Sequence, residues 1–411
     1  MASSELRTNP RRRAAPALTA AAAGDDTGAL PVAALSEILV RLPSKLLCRL
    51  RAVCRAWRSI LSDPGFIAAH AARSSELYLV AWYPEDVDTD SLVDVLDVSG
   101  KILKQVKGEE SDKVVARVSA SGLVCVKTIE TGVFRLINPV SGAVYQLSNN
   151  LAAEHAALGF KLCDYGDPVH LVGKVAGTGE HKVLRMLPYQ QCFNGNRQNL
   201  FEVCTLSSSS CEEWRGKQGP PLPILWNELT RVAIGGVVYF LTVAAYFAVM
   251  NLQVMDLGWV LQYDLEAEEW GSGIAGPGGI VAAADDDDDF LSCFHYLSSK
   301  QVRLANVSGS LAFVLWSSQY MDLWFLMDSA KGLWVKQYHV HVEQPDLFLP
   351  PMHTLVALDD GSVVTVIRSK GLLQLYDLRT NKFLRSTMML NRDATGVSLC
   401  TGSLLGLNRA E

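Results

Sequence analysis

Trp324-Phe325-Leu326-Met327-Asp328 is followed, after a short break, by Trp334, and the same unit recurs along the chain. Glu202-Val203-Cys204-Thr205-Leu206 leads to Trp214, Gln262-Tyr263-Asp264-Leu265 to Trp270, and Leu375-Tyr376-Asp377-Leu378 to Phe383. Each unit is a β-branched and aromatic run, an acidic or Thr-Leu ending, a turn and an aromatic residue. The terminal aromatics stand about 49 to 64 residues apart. A degenerate period of that size fits four-stranded blades set around an axis, because one blade cannot bury both its faces alone. Between these landmarks lie further short runs, among them Leu77–Trp82, Gly122–Lys127, Val133–Ile137, Val237–Leu241, Leu311–Trp316 and Val363–Ile367. Gly, Asn, Asp and Ser separate them, and no long segment has a helical period. At roughly 45–50 residues per blade, residues 74–411 predict an all-β propeller-like domain of six to eight blades.

Upstream the pattern changes. Leu35, Ile38, Leu39 and Leu42 follow i, i+3, i+4, i+7 spacing and share one helix face. Pro31 suits a first helical position and Pro43 stops the helix. Ser44 is placed to cap a second helix, in which Leu46, Leu50, Val53, Trp57 and Ile60 recur at helical spacing. Asp63-Pro64-Gly65 breaks it, and Phe66 to Ala72 forms a last short helix. Residues 29–73 thus predict a three-helix module. It is too small to bury its apolar positions internally, so the surplus apolar face is a partner surface. Residues 1–28 are Ala, Arg, Pro, Thr and Ser with almost no large apolar side chain and predict a disordered tail. The fold class is therefore α+β by domain, a small helical module followed by a propeller.

Composition narrows the function. The 411 residues carry 37 Lys plus Arg and 43 Asp plus Glu, a net charge of −6, which argues against coating nucleic acid phosphates. The charge is split: the helical module sums to +5 and residues 74–411 to −12. Nine cysteines without a Cys-x-x-Cys predict buried thiols in a reducing compartment rather than a disulfide framework, and exclude a paired-cysteine zinc site. From Val232 to Met255 no side chain is charged, a length that would span a membrane. Gly235-Gly236 opens this stretch, Asn251 and Gln253 close it, and Val237–Leu241 is β-branched and aromatic, so it predicts two buried strands with a turn.

The residues of the module carry a resemblance. Leu30-Pro31, Leu35-x-x-Ile38-Leu39-x-x-Leu42-Pro43, Val53-Cys54-Arg55-x-Trp57-x-x-Ile60 and Asp63-Pro64-x-Phe66 resemble the F-box motif of plant F-box proteins. The downstream domain resembles the F-box-associated and Kelch-like C-terminal domains of the same proteins, through Ser121-Gly122-Leu123-Val124-Cys125, Asn138-Pro139-x-x-Gly142, Gly159-Phe160, His181-Lys182-Val183 and Glu268-Glu269-Trp270. It departs at Lys161-Leu162-Cys163, where the family has acidic and tyrosine residues. The resemblance implies docking on a Skp-type adaptor and, through it, a cullin. It also implies an adaptor-facing set of Leu30, Pro31, Leu35, Ile38, Leu39, Leu42, Pro43, Leu46, Leu50, Val53, Cys54 and Trp57. A target protein would bind the β domain, at residues the sequence leaves unknown.

Catalytic motifs give little. Gly271-Ser272-Gly273-Ile274-Ala275-Gly276 has dinucleotide spacing but no βαβ context, and reads as a flexible inter-strand loop. Asp285–Asp289 lacks the alternation and glycine turn of a calcium loop and reads as a solvated loop, with steering of a basic target as a further reading. His339-x-His341, with His353 beyond, has no carboxylate or cysteine at supporting spacing and reads as ordinary strand histidines. No nucleophile with a base is indicated, and no cofactor, metal, nucleic acid or membrane partner is expected. Most of Trp214, Trp226, Trp259, Trp270, Trp316, Trp324 and Trp334 read as blade core. The expectation is a non-catalytic substrate receptor of a Skp–cullin–F-box ubiquitin ligase, cytoplasmic and/or nuclear. The alternatives are a propeller enzyme or small-molecule sensor with a helical interaction module, and an adaptor-binding protein without ligase output.

Overall fold

The computed structural model describes residues 31–73 and, between 77 and 401, the strands, helices and most turns. It does not describe 1–30, 74–76, the longer loops 83–90, 159–167, 191–196, 250–257, 279–300 and 342–353, several short turns, or 402–411. The expected tail, Asp285–Asp289, His353 and Gly159–Cys163 therefore lie outside the described residues.

Four short helices open the chain: α1 (Val32–Leu39), α2 (Ser44–Leu50), α3 (Arg55–Leu61) and α4 (Pro64–Arg73). The sequence reading had α2 and α3 as one helix. Cys54 breaks it: its backbone is extended, with φ −155°, and its sulfur accepts the Trp57 N–H as an N-cap. Ser44 is not the cap of α2 either. Pro43 occupies that position, and Ser44 lies inside the first turn.

Among the described residues, six sheets of four strands follow. The first holds β1 (Leu77–Trp82), β2 (Ser91–Leu96) and β3 (Ile102–Lys107). The second holds β4 (Asp112–Ala116), β5 (Val124–Thr128), β6 (Phe134–Ile137) and β7 (Val144–Gln146). A short α5 (Ala153–Ala157) leads to the third, with β8 (Val169–Lys174), β9 (His181–Gln190), β10 (Arg197–Leu206) and β11 (Arg215–Lys217). The fourth holds β12 (Arg231–Ile234), β13 (Val237–Leu241), then α6 (Val243–Val249), β14 (Val260–Asp264) and β15 (Glu269–Trp270). The fifth holds β16 (Gln301–Val307), β17 (Ser310–Trp316), β18 (Tyr320–Asp328) and β19 (Leu333–His341). The sixth holds β20 (Thr354–Ala357), β21 (Val363–Ser369), β22 (Leu372–Asp377) and β23 (Lys382–Met389). The last strand, β24 (Gly396–Thr401), returns to pair antiparallel with β1 and completes the first sheet.

The apolar cores lie between neighbouring blades. Leu184, Met186, Phe201 and Val203 of the third blade pack with Val238, Phe240 and Tyr263 of the fourth. Leu241 and Val260 of the fourth pack with Val302, Leu304 and Phe313 of the fifth. A strand sandwiched between two blades is buried on both faces, which is why Leu311–Trp316 is apolar throughout rather than alternating.

The repeated tryptophans have one structural task. Trp214 precedes β11, and Trp270 and Trp334 lie in β15 and β19, each at the outer strand of its blade. Each donates its indole N–H to a carbonyl of the segment that has just left the preceding blade: Trp214 to Ser148 at 2.9 Å, Trp270 to Gln218 at 2.9 Å and Trp334 to Ala275 at 2.7 Å. An indole packed between blades needs a partner for its N–H, and here that partner is the crossing segment. The ring meanwhile packs inward, as Trp270 does on Phe201, Phe240 and Tyr263. Trp214, Trp316 and Trp334 are buried, whereas Trp226 is 38% exposed.

Polar joints reinforce the crossings. Glu202, fully buried, accepts from Arg185, from His155 of α5 and from the Ala152 N–H. Arg185 also donates to the carbonyls of Ser148 and Asn150 and lies over the Trp214 ring. Beside it, burial and the Arg185 charge hold the His170 imidazole down to about 3. Lys182, Arg215 and Lys217 of the third blade converge on Glu268 of the fourth. Burial alone would raise this carboxyl, but hydrogen bonds from Arg215, Lys182 and Lys217 hold it at about 2.

Three expectations need correction. In the described part of the 232–255 stretch only the beginning is strand: β12 and β13 form a hairpin across Gly235-Gly236, and Val243–Val249 is helical, with Thr242 Oγ1 accepting the Ala245 N–H at its start. Among the described residues no helix is long and apolar enough to cross a membrane. The Gly271–Gly276 segment is an ordered crossing, not a flexible loop. Ile274 is 1% exposed and pairs with Val260, and Gly273 and Gly276 let the chain press against Gly258 and the Trp259 ring. Finally, Cys204 and Cys211 form a disulfide, whereas buried thiols were expected. An odd cysteine count speaks against a framework of bridges, not against one local link, and the Leu206–Cys211 bridge brings this pair together.

Candidate docking surface on the helical module

The module builds a small core from Leu39, Val40, Leu47, Leu61 and Phe66, with Leu35, Leu42, Leu50, Trp57 and Ile60 packed against it. Its helices are tied by backbone-directed bonds. Arg51 of the α2–α3 turn donates twice to the Leu61 carbonyl, at 2.6 and 3.2 Å, and Arg58 donates to the Arg51 carbonyl. His70 of α4 meets the Leu42 carbonyl at 2.8 Å, and Asp63 accepts the Phe66 N–H at 2.9 Å, capping α4. These bonds satisfy helix ends that would otherwise be orphaned.

The sequence-predicted set divides accordingly. Pro31, Ile38, Pro43, Leu46, Val53 and Cys54 are exposed, with Ile38 at 50% and Val53 at 63%. Leu35, Leu42, Leu50 and Trp57 are half-buried against the core. Leu30 lies outside the described residues. Leu39 is 1% exposed and belongs to the interior, which corrects its place in the partner-facing set. Helical spacing identifies a stripe, but a module this small needs part of that stripe for itself. The reading also missed Val32, 66% exposed at the start of α1. With Ser36, Ile60, Asp63 and Phe66 it lines a groove between α1, α3 and α4. It stands three residues before Leu35 and seven before Leu39, so the same helical spacing carried one step back would have found it. The arrangement exposes branched apolar side chains on a module where Arg41, Arg49, Arg55 and Arg58 are also exposed.

The remaining candidates are placed as follows. His339 on β19 contacts Asp322 of β18 at 2.5 Å, so a carboxylate does support it, from 17 residues upstream where spacing gave no hint. Lys336 takes the other oxygen of that carboxylate at 2.7 Å. Among the described residues no group of three or more His, Cys, Asp or Glu could hold a metal ion.

Residues 101–396 match the F-box associated beta propeller domain family, and residues 27–70 match the F-box-like family. The chain belongs to the F-box-associated β-propeller family. An F-box protein of Arabidopsis thaliana is 32% identical over 193 residues, covering 46% of this chain and 51% of that protein. The chain thus matches about half the length of that relative. A second Arabidopsis thaliana F-box protein is 22% identical over 410 residues, covering 88% of each. Among solved structures, a chain of a nidogen–laminin complex aligns at 10% identity with a TM-score of 0.40, over 79% of this chain and 98% of that one, too remote to bear on function. In this F-box-associated propeller protein the F-box-like match falls on the helical module and the propeller match on the blades.

Proposed function

We propose that this protein is the substrate-recognition subunit of a Skp–cullin–F-box ubiquitin ligase. The observation that carries the reading is the exposed apolar set Val32, Ile38, Leu46 and Val53 on a basic module that matches the F-box-like family. Pro31, Pro43 and Cys54 are exposed with it, and Leu35, Leu42, Leu50 and Trp57 are half-buried against the core that holds Leu39. The Skp-type adaptor covers this surface and links the chain to a cullin, while the propeller of the F-box-associated, Kelch-like kind holds a target protein. The chain itself performs no bond chemistry. It raises the concentration of the target beside a charged ubiquitin-conjugating enzyme, so its contribution is proximity. Such a role places it in the cytoplasm or nucleus. The test is reconstitution: the full chain, mixed with a recombinant plant Skp-type adaptor and cullin, is expected to co-elute with both on size-exclusion chromatography. Separate elution at micromolar concentrations would overturn the proposal.

A further inference from the structure

The helical module does not hang from the propeller on a tether; one of its helices is built into a blade. Ser44, in the first turn of α2, is fully buried, and its hydroxyl meets the Tyr78 hydroxyl of β1 at 2.7 Å. One residue on, Lys45 reaches Asp97 at the β2–β3 turn, at 3.4 Å. One turn further, Cys48 packs against two cores at once. It touches the cluster of the helical module, and also the cluster in which Tyr78, Val80, Trp82, Val93 and Val95 of the first blade meet Val124 and Val126 of the second. Positions 44, 45 and 48 share one side of a helix, so these contacts form a single seam.

The seam falls at a particular place in the ring. Tyr78 stands on β1, and its register partner on the other side is Cys400 of β24. The first sheet is where the ring is closed, since it joins residues more than 300 positions apart in sequence. Closing so long a loop carries an entropic cost that the pairing of β1 with β24 has to offset. Any contact made only when β1 is in place helps to hold the ring shut.

We infer that the helical module is a structural part of the closing blade: α2 clasps the sheet in which the first and last strands of the chain pair. The same helix therefore has two unlike sides. Ser44 and Cys48 face the propeller, and Leu46 is left for a partner. For the receptor proposed above, a consequence that rests on that reading is that an adaptor on the module sets the orientation of the propeller.

Hydrogen exchange on the full chain, without any adaptor, tests the clasp independently of the receptor reading. Leu61→Asp places a charge in the core of the module, away from the seam, and unfolds the module. The expected result is exchange of β1 and β24 amides at least about tenfold faster, with β17 amides in the fifth blade unchanged, as local unfolding of one cooperative unit requires. Wild-type rates in β1 and β24, or equal acceleration in every blade, would overturn the inference. Tyr78→Phe, which keeps the ring and removes only the hydroxyl that Ser44 meets, gives a second reading. It should speed the same amides by about 2- to 10-fold, the range for one hydrogen bond. An unchanged first blade in this variant would also overturn the clasp.

Discussion

Ile38 and Val53 give the sharpest test of the docking surface, because they are exposed where Leu39, one residue from Ile38, is not. Full burial of a Val, Ile or Leu side chain is worth about 1.5–3 kcal/mol. Ile38 is 50% and Val53 63% exposed, so half to two-thirds of that gain is still to be realised when a partner covers them. Each then contributes about 1–1.5 kcal/mol, and the pair about 2–3 kcal/mol, if the two act independently. At 1.4 kcal/mol per factor of ten, Ile38→Ser/Val53→Ser is expected to weaken adaptor binding by about 30- to 140-fold. The Tm should barely move, since neither side chain belongs to the core of the module. Leu39→Ala has the opposite profile: at 1% exposure it removes about 2–5 kcal/mol of stability through a cavity. Isothermal titration of the full chain with a recombinant Skp-type adaptor, alongside thermal denaturation, separates the two. Binding by the double variant within about twofold of wild type, the scatter expected of additivity, would refute the reasoning.

Three further outcomes follow from the propeller. The Glu268 carboxyl is held at about 2, so it contributes stability above its ordinary value of 4.5, and this is lost as pH falls toward 2; the stability gap between wild type and Glu268→Gln should therefore close over that window in urea titrations. The His170 imidazole stays neutral down to about 3 in the fold but takes a proton near 6.5 when unfolded, so acidification through that window lowers stability by up to about 1.4 kcal/mol per pH unit. His170→Gln should flatten this slope, and identical slopes would disprove the assignment. A Cβ on Gly276 would stand 2.0 Å from the Trp259 ring, so Gly276→Ala should cost about 1–3 kcal/mol in chemical denaturation; an unchanged midpoint would mean the crossing can shift aside.

The blade repeat was legible because its residues are the ones the fold repeats. An acidic residue or Thr-Leu ends the third strand, a turn follows, and an aromatic seals the fourth. Trp214, Trp270 and Trp334 stand at that seal. The break between α2 and α3 was not legible, since cysteine is a rare cap and Leu46, Leu50, Val53, Trp57 and Ile60 keep helical spacing across it. The helix at Val243–Val249 was hidden for a related reason. Val-Ala-Ala-Tyr-Phe-Ala-Val suits a strand by composition, and tertiary context overrides so short a preference. The F-box-like match to residues 27–70 covers the Leu30–Phe66 stretch that carries the motif, and the F-box-associated match to residues 101–396 covers the landmarks downstream of it.

Which apolar residues of the module stay exposed was legible only in outline, and the reason is general. Periodicity reports that a helix has an apolar stripe. It does not report whether the stripe faces its own core, a partner or another domain of the chain. α2 divides its seven residues three ways: Leu47 lies in the core of the module, Leu46 is exposed, and Ser44 and Cys48 meet the propeller. The polar half of that last contact carries no periodic signal, because a buried serine looks like any surface serine until its partner tyrosine is brought to it. The same holds for Glu202 with Arg185 and His155, and for Glu268 with its three cations. These joints pair charges from different elements, so no local window contains them. They fix the crossings between blades and the seat of the helices, and so the orientation of the two surfaces through which a receptor would work.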